Sequence, residues 1–454
     1  MSRQKSYFLL RNCHKWLCLN HYGNLSLTKE KRTLLILLIF NLFLITDTSI
    51  CNAQMKEFIS PQLKTVQLNR TGWELSYPLY ILNTQQQLQL TFDEPGSEVK
   101  NYYYTITLCD ADWNIAPVMI TEYIQGIPEN PILNYEYSFN TTFDYIHYQL
   151  TFPNSDINVT RSGNYLLTVF EDGNKENPLL IKHFMVVEPM VTIIPQLKYA
   201  AQSSLRDSYQ EIDFKVSHQG FHIQDPMQEI KATIIQNGRT DNKISNLRPL
   251  FVLNNLLDFN YNRVALMEGG NEFRYADLRS IRFLSDRVKE IEFVDPFYHF
   301  TLFPDFPRRK DNYQFYSEIN GRYKVEVSEY DNDHLQADYA FVHFTLRTDY
   351  PQPSQKVYLN GALTNWQLNE GSEMVYNAQR NVYEKTLLLK QGYYNYQYLV
   401  RELGEESGQA CFMENCFQQT ENDYLILIYY KPLGERSDRL IGAHSVNTMR
   451  GQSQ

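Results

Sequence analysis

The sequence predicts an all-β protein made of tandem β-sandwich domains, and three observations carry that expectation. Of the 454 residues, 14% are aromatic, with 34 Tyr and 26 Phe, a composition that suits pleated, half-buried surfaces better than helices. Short segments also alternate in polarity: in 211–216, Ile212, Phe214 and Val216 recur at period two, so one face packs inward. Turn signals such as Ser162-Gly163-Asn164, Asn237-Gly238 and Asn320-Gly321 then punctuate the runs. Hardly any stretch sustains a helical period, so strands joined by turns are expected rather than crossover helices.

Taken in order, strands are expected over 102–108, 165–170, 211–216, 231–236, 323–327, 339–346 and 424–430. They fall into three blocks. Residues 54–189 form an N-terminal sandwich that closes with the strand-like 181–187. Residues 190–347 form a middle β-rich domain. Residues 352–432 form a C-terminal domain after the stretch Asp349-Tyr350-Pro351-Gln352-Pro353, where proline disfavours helix at the preceding residue. Residues 433–454 read as a polar, flexible tail.

Residues 1–53 read as an export signal with an extended basic region. Lys29, Lys31 and Arg32 precede an apolar run over 34–45, interrupted by Asn41, and small residues at Cys51-Asn52-Ala53 offer cleavage before Gln54. A spanning helix needs roughly 20 apolar residues, so this run suits the core of a secretory signal better than a membrane anchor. Bulky Ile50 argues against lipid attachment at Cys51. Once 1–53 is removed, 42 basic residues fall to 35 and 52 acidic ones to 50, a net charge of −15. Such a chain lacks the footprint of a nucleic-acid or anionic-lipid binder, and no later stretch looks able to insert into a membrane. Cys109, Cys411 and Cys416 remain; the latter two are close enough for a disulfide in an oxidising compartment, or all three stay thiols.

No catalytic constellation emerges, and neither a cofactor nor a resident metal is expected. Asp110 and Asp112 before Trp113 read as solvated acids at a strand end, because calcium would need more oxygen ligands than they supply. His218, His222 and Asp225 straddle Gly220 and so sit on a turn rather than on a metal-binding helix. His147, in Tyr145-Ile146-His147-Tyr148, has no nucleophile near it in sequence and reads as a core or interface histidine. Gly269-Gly270-Asn271-Glu272-Phe273-Arg274 lacks the following helix and Lys-Ser/Thr pair of a phosphate loop, and suits a tight bend with Arg274 paired to a carboxylate.

The third block, with Val357-Tyr358-Leu359-Asn360-Gly361, Asn365-Trp366 and Gly392-Tyr393-Tyr394-Asn395-Tyr396, resembles the early-set immunoglobulin-like modules related to glycogen-binding domains. That resemblance implies an immunoglobulin-like sandwich, and it raises a glycan as a less favoured ligand. Exposed rings stack on sugars in such binders, and Trp366 fits one position, but Tyr383 stands where a second Trp is frequent. Packing at the turn is the favoured role for Trp366.

Several segments together resemble the Plug proteins of the type IX secretion system of Bacteroidota. They are Cys109 to Trp113, Ser138 to Thr142 with His147-Tyr148, Ser162-Gly163-Asn164-Tyr165, Gln236 to Arg239, Gly269 to Arg274, Thr420 to Tyr424 and Arg439 to Gly442. The resemblance covers roughly 63–442, with one departure at Ser437, where the family usually has Tyr. It implies a non-enzymatic periplasmic protein, held at the outer membrane by its partner. That partner is the periplasmic mouth of a SprA-type barrel translocon, which the protein closes when idle. The motif residues Trp113, His147, Asn164, Asn271, Glu272, Arg274 and Trp366 are the candidates for the site, although such motifs can serve the fold as much as the contact surface.

Overall fold

The computed structural model describes residues 55–348 and 354–449, so the export signal expected at 1–53 lies outside the described residues. Strands occupy the segments whose alternation predicts them: Tyr102–Cys109, Gly163–Glu171, Tyr209–Ser217, Ile230–Gln236, Tyr323–Val325, Tyr339–Arg347 and Asp423–Tyr430. Asn237-Gly238 and Asn320-Gly321 take φ of 52° and 83°, and 52° and 73°, the left-handed pairs that tight turns require. Ser162-Gly163-Asn164 is not a turn. Gly163 opens a strand there, and Asn164 is buried within it.

Three β-sandwiches result, each around its own apolar core. In the first, a sheet centred on Tyr102–Cys109, Gly163–Glu171 and Leu180–Val187 faces a four-stranded sheet. The latter runs in the order Lys64–Arg70, Leu88–Pro95, Tyr145–Phe152, Asn134–Tyr137. Between them Phe92 stacks on Tyr148 at 5.1 Å while Tyr102 meets both rings edge-on, an arrangement aromatic quadrupoles favour.

The second sandwich packs Thr192–Tyr199, Tyr209–Ser217, Leu256–Asp258 and Phe251–Leu253 against a sheet ordered Ile244–Leu247, Ile230–Gln236, Asp423–Tyr430, Arg439–Asn447. Its core joins Phe214, Ile234 and Phe259 to Ile426, Ile428 and Ile441. The third pairs Arg274–Asp277, Tyr323–Val325 and Gln355–Asn360 with Gly392–Glu402. Its facing sheet runs Val288–Val294, Phe297–Leu302, Tyr339–Arg347, Val382–Lys390, Val375–Asn377.

Two expectations are corrected here. The chain does not divide at 347–352: Tyr339–Arg347 pairs along its whole length with Val382–Lys390, and Arg274–Asp277 pairs with Gly392–Glu402. The third sandwich is thus an insertion within the second, whose sheet is completed only by the chain's last two strands. A linear reading misses this because proline marks a break in local structure and carries no information about distant pairing. Nor are residues 433–454 a tail throughout. Arg439–Asn447 is a strand, and Ser437, Asp438, Leu440 and Ile441 are buried. Its short apolar pair is obscured by polar neighbours until Asp423–Tyr430 is laid beside it.

Candidate functional site

Seven residues stand out in the sequence: the structure places Trp113, His147, Asn164 and Trp366 where sandwiches meet, and Asn271, Glu272 and Arg274 in a knot inside the third. Six are buried and Trp366 is half-buried.

The first and second sandwiches meet through an apolar layer in which Cys109, Trp113, Leu166 and Met185 pack on Ile235, Leu427, Tyr429 and Leu440. Asn164 pins this layer. Its Nδ2 donates to the Asp110 carbonyl at 3.1 Å, and its Oδ1 accepts from the Tyr429 hydroxyl at 2.9 Å. Asp110 is not merely solvated, because its Oδ1 accepts from the backbone N–H groups of Asp112 and Asn114 and closes the turn. Beside it, the buried Asp438 carboxylate accepts from the Ala111 N–H at 2.9 Å. The departure at Ser437 therefore falls in an interior joint. Burial pushes the Cys109 thiol up to about 12, so it acts as a small apolar residue.

His147 lies at the joint between the first and third sandwiches. Its Nδ1 is 2.6 Å from Asp93 Oδ1, while Asp93 Oδ2 takes the Tyr339 hydroxyl at 2.6 Å and Lys390 Nζ at 2.7 Å. Lys390 also donates to the His334 carbonyl and sits 4.1 Å from the Tyr145 ring centroid. Burial by itself would raise the Asp93 carboxyl, but Lys390 and His147 outweigh it and hold the group below its ordinary value. Charge here is neutralised on the spot.

Asn271, Glu272 and Arg274 belong to a second charged knot, inside the third sandwich. The Arg274 guanidinium forks onto Glu414 through Nε and Nη2, at 3.0 and 2.9 Å, and reaches Asp305 at 2.7 Å through Nη1. Arg308 Nε adds a bond to Glu414 at 2.8 Å, and the Tyr396 and Tyr398 hydroxyls both donate to Asp305. Burial pushes Glu414 up, yet the two guanidiniums overcome it and hold the carboxyl at about 2. Asn271 donates to the Glu414 carbonyl, and Glu272 accepts from the Tyr313 hydroxyl and the Glu421 N–H. Glu414 ends a single helical turn, Cys411–Glu414, bracketed by a Cys411–Cys416 disulfide. Glu268 lies beside that bridge, with its donor atom and both sulfurs within 4.8 Å of one another. Sulfurs bonded to each other are not thiolate ligands, so this is no preformed metal centre.

Trp113 and Trp366 come together in a cleft of about 190 Å³ where all three sandwiches converge. The His183 ring stacks on Trp113 at 3.8 Å, and its Nε2 donates to the Met55 carbonyl. Trp366 meets Phe273 edge-on at 6.1 Å. Gly321, at φ 73°, is required beneath it, because a β-carbon there would collide with both rings. Tyr77 and Arg322 line both this cleft and a second of about 350 Å³, with Arg322 held by Asp423 at 3.0 Å. Neither aromatic position considered for sugar stacking offers a free platform: Trp366 is packed as described, and Tyr383 is buried against Tyr376.

His218 makes a turn contact, its Nδ1 lying 3.0 Å from the Phe221 carbonyl. Sequence reasoning missed Asp93, Lys390 and Glu414. The usable signal is a charge flush with apolar neighbours, as in Leu387-Leu388-Leu389-Lys390 and Leu90-Thr91-Phe92-Asp93.

The family model of the type 9 secretion system plug protein first domain matches residues 63–188, the first sandwich. Residues 63–188 are thus the first domain of a type 9 secretion system plug protein. Similarity runs beyond the matched domain. The crystal structure of a hypothetical protein from Parabacteroides merdae is 36% identical with a TM-score of 0.84, covering 87% of this chain and 100% of that one. No curated protein matches the chain. No helix among the described residues is long and apolar enough to cross a membrane.

Proposed function

We propose that this chain is a periplasmic plug that binds the periplasmic opening of the type IX outer-membrane translocon, a SprA-type barrel, and closes it when idle. The plug-protein first domain at 63–188 supports the reading. The observation that carries it is the joining of the sandwiches: each junction of the first with the others is fixed by buried groups, Asn164–Tyr429 on one side and Asp93–Lys390 on the other. A stopper for a wide pore must resist being deformed by what presses on it, and a body whose joints are fixed by buried, mutually neutralised groups meets that need. The role is one of binding rather than catalysis, since the buried ionisable groups are engaged in holding one another.

The test is affinity purification of the tagged mature protein from outer-membrane detergent extracts, with each co-eluting protein identified. Recovery of a very large barrel without its substrate-carrying partner is the expected result. Recovery of the protein alone, under conditions that preserve a control complex, overturns the reading.

A further inference from the structure

The first sandwich carries an exposed edge that starts beside its joint with the third, where the Phe139 N–H donates to the Leu335 carbonyl, and runs away from it. The strand Asn134–Tyr137 is the outermost of its sheet and pairs only with Tyr145–Phe152 among the described residues. All four of its residues are exposed. Leu133, Tyr135, Tyr137 and Phe139 occupy alternate positions there, with 75, 42, 52 and 48% of their surfaces exposed. Tyr135 leans on Tyr148 at 5.8 Å, so the stripe continues the aromatic layer of the core out into solvent. Sheet edges in monomeric proteins are ordinarily blunted by charge, proline or a bulge, and an uninterrupted apolar edge is a template for another strand.

Charge gives the occupant's character. Residues 101–160 contain seven acidic residues and not one Lys or Arg. Some of these acids are paired from outside the segment, as Glu129 is with Lys175 and Glu122 with Arg436. Glu136 and Asp144, at the stripe itself, are exposed and take part in no ion pair among the described residues.

We propose that the Asn134–Tyr137 edge docks an extended segment of a protein partner, in which Lys or Arg alternates with apolar residues, as an additional strand of the sheet. Backbone bonds supply the pairing, the aromatic stripe receives the apolar side chains, and the acids with the exposed rings attract the cations. Identifying that partner as the translocon rests on the plug reading.

The surface is tested first on the full mature chain, with the peptide KVKVKVK as probe and EVEVEVE as its charge-reversed control. The basic peptide is expected to slow hydrogen exchange over residues 134–137 by on the order of tenfold, and the effect weakens with added salt. Tyr137→Lys abolishes the slowing, as does Leu133→Lys at a position exposed enough to leave folding intact. No slowing over 134–137, or equal slowing by the acidic peptide, overturns the proposal. The same variants then enter the affinity purification. Loss of the barrel from Y137K alongside its recovery by the unaltered protein supports the translocon as partner. Equal recovery by both removes this edge from the translocon contact and leaves the plug reading standing. If the unaltered protein recovers no barrel, the plug reading fails while the exchange experiment still decides the surface.

Discussion

The knot inside the third sandwich meets its acids with arginine, whereas the joint between the first and third meets Asp93 with a lysine and a histidine. Arg274 alone places five hydrogen bonds on Glu414, Asp305 and the Phe306 carbonyl at fixed angles. Lys390 offers a point charge on a flexible stem, and His147 one ring nitrogen. Planar forks saturate carboxylates with little freedom left over; an ammonium does so with more. The first arrangement suits a knot formed once, within a single folding unit. The second suits a joint where two units made separately must find one another, and where a few degrees of angle are to be tolerated.

The sharpest way to break the comparison is Glu414→Gln. It leaves Arg274 and Arg308 buried without their shared anion, and a loss of about 4–5 kcal/mol is expected in urea unfolding, concentrated in the third sandwich. Lys390→Met leaves Asp93 with His147 and the Tyr339 hydroxyl, so about 3–4 kcal/mol is expected. Here the double variant Asp93→Leu, Lys390→Met restores part of the loss, because the apolar pair needs no counter-charge while His147 is left without its acceptor. Small-angle scattering separates the two cases: K390M broadens the arrangement of sandwiches, and E414Q does not.

Acid sharpens the contrast further. The folded Glu414 carboxyl is depressed from 4.5 to about 2, so its contribution is complete above pH 4.5 and disappears as pH falls towards 2. Linkage puts the loss on the order of 3 kcal/mol. Asp93, also depressed, acts with the same sign. Unfolding midpoints taken between pH 7 and pH 2 should decline in the parent and decline less in E414Q. The smallest effect belongs to the disulfide, which closes a sequence separation of 5. Cys411→Ser with Cys416→Ser is expected to cost about 2 kcal/mol by chain entropy. It should lower the pH-dependent part as well, since Glu414 sits inside that loop.

Much of the fold is legible in the sequence because alternation is local: Ile212, Phe214 and Val216 announce an inward face whatever they pack against. Arg274 is legible as a charge in need of a carboxylate, from the paired glycines that bend the chain before it. Its partner Glu414 lies 140 residues on, and no local pattern marks it. The interlocking of the second and third sandwiches is hidden for the same reason, since strand pairing between 230–236 and 423–430 depends on matching faces that only meet once the insertion has folded. Trp113 and Trp366 are visible as motif residues, but only the structure brings them into one cleft.

The threading of the second sandwich has a temporal consequence. A chain made from its N-terminus exposes Ile230–Gln236 long before its neighbour Asp423–Tyr430 exists, and the outermost strand Arg439–Asn447 arrives last of all. The inserted sandwich can therefore mature before its host. Until Arg439–Asn447 is released, the host sheet keeps a raw apolar edge of the kind that chaperones and proteases recognise. A copy that stops short of Arg439–Asn447 is thus marked as unfinished, and only one that carries this strand escapes that surveillance.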